Sequence, residues 1–93
     1  MNNTLHTPAP WKCDLVSLKI WANDGNTEIA RTSSDVSISE EEANARLISA
    51  APDLLSALDS LLNKINAHGL ENKHMIATIE KAELAIAKAK GVI

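Results

Sequence analysis

The sequence predicts a small α+β fold: an N-terminal β-hairpin, then a helix broken at Pro52, then a C-terminal αα-hairpin. Three observations carry this expectation. Apolar residues alternate with period two between Leu15 and Trp21, which is the pattern of a half-buried strand. An Asp24-Gly25 pair follows, the dipeptide that favours a tight hairpin turn. From residue 39 onward the apolar spacing changes to three and four, the period of an amphipathic helix.

The elements follow in chain order. Residues 1–10 read as a flexible tail ending in Thr7-Pro8-Ala9-Pro10, whose prolines remove backbone donors and favour extended geometry. Residues 13–32 form the hairpin, with Val16, Leu18 and Ile20 on one face and Leu15, Ser17, Lys19 and Trp21 on the other. Thr27 to Thr32 returns as the shorter partner strand. Residues 39–90 are the helical part of a single domain. Ser39 is placed to cap the first helix, with Glu42 completing an S-x-x-E capping box and Ile38 stapling onto Ala43. Glu40, Glu41 and Glu42 lie where the helix dipole favours negative charge, and they also offer an acidic docking patch. Pro52 cannot donate to the helix and disfavours helical geometry at Ala51, so it should end or kink the helix there. Leu54, Leu55, Leu58, Leu61, Leu62 and Ile65 then make one broad apolar stripe, closed by His68-Gly69. A last helix is expected from about Glu71 to Lys90, with Met75, Ile79, Ala82, Ile86 and Ala89 inward and Gly91 as its cap.

Composition narrows the function. In 93 residues the net charge is −3, Trp11 and Trp21 are the sole aromatics, and Ala, Leu and Ile dominate the apolar set. Small side chains bury little area each, so the chain should gain burial by forming a homo-oligomer. Residues 1–38 carry three Lys/Arg against four Asp/Glu, residues 39–66 two against five, and residues 67–93 four against three. No segment makes the basic stripe of a duplex binder, which argues against direct DNA binding. Cys13 is alone, so no intramolecular disulfide forms. No apolar run reaches the ~18–20 residues of a membrane span, and the N-terminus lacks the blocks of a signal peptide. The expected setting is a reducing cytoplasm, with no membrane association.

Two motifs carry a resemblance. Thr7-Pro8-Ala9-Pro10-Trp11 and Glu42-Ala43-Asn44-Ala45-Arg46-Leu47-Ile48-Ser49-Ala50-Ala51-Pro52-Asp53-Leu54-Leu55-Ser56-Ala57-Leu58 stand in order along the chain. The sequence resembles small phage and prophage proteins that begin Thr-Pro-Gly-Pro-Trp and continue Glu-Ala-Asn-Ala-Arg-Leu-Ile-Ala-Ala-Ala-Pro-Asp-Leu-Leu-Glu-Ala-Leu. Ala9 replaces the usual Gly, and Ser49 and Ser56 replace Ala and Glu. The segment Lys81 to Gly91 is similar to the ends of several such proteins. The resemblance implies a phage accessory protein made inside a bacterial host. It carries no catalytic residue and no reaction.

The residues themselves supply no catalytic constellation. Cys13 has no His near it in sequence, and His6, His68 and His74 are scattered, although His68 and His74 bracket one loop. Gly25, Gly69 and Gly91 are isolated turn signals rather than a phosphate loop. No cofactor and no metal are expected, and the chain reads as non-enzymatic. Five residues stand out as candidate ligand or partner contacts. Trp11 and Trp21 are either core anchors or stacking surfaces, with Lys19 or Arg31 beside Trp21. Asn44 and Arg46 occupy different sides of the helix, and Arg46 sits one turn from Glu42, where a weak surface ion pair is the plain alternative to a ligand contact. The main expectation is a protein that binds and neutralises a host factor serving defence. A second is an oligomeric sponge that sequesters a nucleotide immune signal, using Arg31, Arg46, Trp11 and Trp21. A third is a structural or regulatory helper of phage development.

Overall fold

The computed structural model describes residues 6–69 and 75–91. Its elements are β1 (Lys12–Asp14), β2 (Lys19–Trp21), β3 (Glu28–Arg31), α1 (Ile38–His68) and α2 (Ile76–Lys90). The α+β class stands: a three-stranded antiparallel sheet of order β1-β2-β3 precedes two helices.

The hairpin is therefore a three-stranded meander, and the expected strand from Leu15 to Trp21 is corrected. Leu15 to Leu18 is a turn, and β2 begins only at Lys19. Asp14 is the physical reason. Its Oδ1 accepts from the amide of Val16 at 2.9 Å and from that of Ser17 at 3.4 Å, and the Leu18 amide donates to the Asp14 carbonyl at 2.7 Å. A short acidic side chain thus offers the backbone a local alternative to the ladder. Leu18 completes the turn in the left-handed region, at φ 58°. The second turn is built the same way: Asp24 Oδ1 accepts from the amides of Asn26 and Thr27, and Gly25 takes φ 75°.

The first helix is capped two residues earlier than expected. Ser37 Oγ accepts from the Glu40 amide at 3.2 Å, so Ser37, and not Ser39, is the N-cap. Ile38 lies inside the helix and is 73% exposed, which rules out the staple onto Ala43. The helix is not broken at Pro52 either. Helical geometry runs unbroken through it, and the proline ring is buried. Proline costs its own amide bond and crowds the preceding turn, but helix already formed on both sides removes the nucleation penalty for continuing through it. The helix ends at His68 with Gly69 at φ 62°, as the sequence implies.

The chain divides into two compact units at the Asp53–Leu54 bond. In the first, Ile20 is wholly buried at the centre of the sheet, and Ala22 and Ala45 are buried as well. A polar contact ties sheet to helix there: Thr32 Oγ1 donates to Glu41 Oε2 at 3.1 Å, and Glu41 is itself buried. In the second unit, Leu62, Ile79 and Ile86 form the core, with Leu55, Leu58, Ile65, Met75 and Ala82 packed against it. The broad leucine stripe thus splits, leaving Leu54 and Leu61 exposed. An ion pair of 3.7 Å joins Lys90 to Asp59. The second helix closes on Gly91, whose amide reaches back to the carbonyls of Ala87 and Lys88. Its expected start near Glu71, and His74, lie outside the described residues.

Candidate functional site

The register of the sheet sorts its side chains between two faces. Cys13 pairs with Ile20 and Ile20 with Ala30, so the inward face is one large residue between two small ones. The other face carries Lys12 opposite Trp21, Asp14 opposite Lys19, and Lys19 opposite Arg31. A bulge at Ile20/Trp21 shifts the pairing, so that Trp21 meets Glu28 and residue 29 is the extra one. This is why Glu28 and Arg31, three apart in a strand, point to the same side.

On that face the charges are already paired. Arg31 donates from Nε and Nη2 to the two carboxylate oxygens of Glu28, each at 3.0 Å, in a bidentate fork. Lys19 Nζ lies 3.7 Å from Glu28 Oε1 and 5.8 Å from the centre of the half-buried Trp21 ring. Trp21 and Arg31 therefore do share a surface, but the guanidinium is held by Glu28 rather than left free for an anion.

The other sequence-predicted residues lie elsewhere in the first unit. Trp11 is half-buried and donates its indole Nε1 to the Thr7 carbonyl at 3.0 Å, with the His6 ring edge-on to it at 6.1 Å. The Thr-Pro-Ala-Pro-Trp motif thus folds onto itself, through a cis Ala9–Pro10 peptide and without the usual glycine. Asn44 and Arg46 are exposed on α1. Among the described residues the ion pairs are Lys19–Glu28, Arg31–Glu28 and Lys90–Asp59, so the Glu42–Arg46 pair does not form. The Glu triplet is not one patch, since Glu40 follows the cap, Glu41 is buried and Glu42 is half-buried. Cys13 is half-buried in β1.

Sequence reasoning missed the turn between β1 and β2. Its tip, Val16, is 95% exposed, and Leu15 beside it is exposed as well. The signal was present: an Asp two residues ahead of an apolar residue is an Asx turn as readily as a strand. The backbone amides of Val16 and then Ser17 hold the Asp14 carboxyl below its ordinary 3.8, and those of Asn26 and then Thr27 do the same for Asp24. A carboxyl lowered on folding adds stability that is complete above the unfolded value and lost as pH falls through the folded one. Both turns should therefore hold at pH 5 and loosen below about pH 3.8. Carboxyl chemical shifts of Asp14 and Asp24, followed through an acid titration, should show midpoints below the ordinary value; ordinary midpoints would mean that the turns are not locked in solution.

A family model described as Salmonella phage P22 protein Y8K6 matches residues 1–92. The chain belongs to this family. Membership confirms the phage lineage that the two motifs imply, across nearly the whole chain. Neither curated proteins nor solved structures yield a match. In this P22 Y8K6 family member, no described helix is long and apolar enough to cross a membrane. No group of three or more His, Cys, Asp or Glu side chains converges as a metal site among the described residues.

Proposed function

We propose that this phage protein is a non-enzymatic accessory factor that binds a host protein serving defence and neutralises it by occupying its surface. The observation that carries the reading is the locked, apolar turn between β1 and β2. A single exposed valine is ordinary. Here the valine stands at the tip of a turn held by three hydrogen bonds and completed two residues later by Leu18 at positive φ. Non-glycine residues at positive φ are uncommon, and such local strain clusters at functional positions. A preformed loop also loses little freedom on docking, which favours recognition of a concave apolar pocket. The phage lineage supplies the setting, and a host factor is the class of partner that such a protein meets.

The test is capture from host lysate by the tagged protein and by Val16→Asp. The native protein should retain a host protein in stoichiometric amount. Burying a valine is worth ~1.5–3 kcal/mol, so the variant should bind at least about tenfold more weakly. Unchanged far-ultraviolet circular dichroism would show that Val16→Asp still folds. Recovery of no stoichiometric host protein, or equal recovery by both, would sink the reading.

A further inference from the structure

The buried side of α1 within the first unit is drawn by Glu41, Ala45 and Pro52. At 100° per residue, Ala43, Leu47 and Ala50 fall on the opposite side of the same helix. Leu47 is 63% exposed, and Ala43 is exposed beside it. The spacing of four and then three is the a/d seam of a helix pair, with leucine at a and alanine at d. Arg46 and Asp53 lie along one flank of the seam, both exposed and seven residues apart. Neither is in an ion pair among the described residues.

These features complement each other under one operation. When two copies of the helix run antiparallel about a two-fold axis between residues 48 and 49, Leu47 of each meets Ala50 of the other. The small alanine lets the helices approach closely and leaves room for the leucine. The same operation sets Arg46 of each copy level with Ala51 of the other and, along the shared flank, within two residues (about 3 Å of helix rise) of Asp53. One face supplying both halves of the fit is what an isologous dimer requires. We propose that the outward face of α1, centred on Leu47 and Ala50, is the homodimer interface of this protein and pairs antiparallel with a second copy. Flanking charges then set the orientation, while the leucines supply the burial. This inference stands apart from the host-factor reading, because Val16 is not on the seam.

Sedimentation velocity of the full chain over about 1–500 µM tests it, since a short helix pair below the ~1,000 Å² of a stable interface associates weakly. A monomer–dimer equilibrium is expected within that range. Leu47→Lys should leave monomer throughout. Arg46→Asp or Asp53→Arg alone should weaken dimerisation about tenfold, each placing two like-charge contacts in the pair. The double variant Arg46→Asp/Asp53→Arg should restore the native constant, which a merely misfolded variant would not do. A native chain that is monomeric at every concentration would overturn the proposal. So would a dimer indifferent to Leu47→Lys, or charge reversals that fail to compensate. Val16→Asp should dimerise like the native chain, which separates this result from the lysate test.

Discussion

Ile20→Ala should lower the stability of the first unit by about 2–5 kcal/mol, the range for large-to-small changes at fully buried aliphatic positions. Ile20 has no exposed surface and sits in the middle strand, hydrogen-bonded on both sides. Its cross-strand partners are Cys13 and Ala30, both too small to close the space that the lost atoms would leave. A domain of this size holds only ~5–15 kcal/mol in all, so the loss is a large share. Ile20→Val, which removes one carbon, should cost only about 0.5–1.5 kcal/mol. Both tryptophans lie in this unit, so their fluorescence during urea unfolding reports on it directly. A change below about 1 kcal/mol for the alanine variant would show that the sheet relaxes around the site, contrary to its packing.

The second large effect falls on adjacent leucines. Leu62→Ala should cost about 2–5 kcal/mol, whereas Leu61→Ala should stay within about 0.5 kcal/mol. Leu62 is 6% exposed and belongs to the cluster with Ile79 and Ile86, while Leu61 is 56% exposed. The second unit has no tryptophan, so helical circular dichroism is the suitable probe. Equal costs at the two positions would mean that the split of the leucine stripe is not the one present in solution. In a dimer through α1 the measurement belongs at low protein concentration, where association adds nothing to apparent stability.

Much of this architecture is legible in the chain itself. The α+β class, the helix stop at His68-Gly69, the Gly91 cap and the inward stripe Met75, Ile79, Ala82 and Ile86 follow from local rules, although Ala89, expected on the same stripe, is exposed in the last turn. Those rules act over three to seven residues, and a single sequence displays them. Where the reading failed, two local signals competed. Alternation at Leu15–Leu18 looks like a strand, but Asp14 binds the amides of Val16 and Ser17 and turns the chain. Ser37 and Ser39 both begin an S-x-x-E pattern, and the helix took the earlier one. At Pro52 an intrinsic preference lost to the cooperativity of the helix around it.

The candidate sites were less legible, because a side chain's availability is decided by its neighbours. Arg31 is a residue type that suits an anionic ligand, but a bulge in its own strand turns Glu28 onto it. Trp11 folds back on Thr7 within its own motif. Arg46 remains exposed and makes no ion pair with Glu42. By itself the sequence determined the phage lineage, the fold class and the placing of strands before helices, since periodicity, turn residues and motif identity are properties of neighbours along the chain. Only the tertiary structure decided which leucines face inward and which charges are already paired, because each depends on contacts between segments that the linear order does not encode.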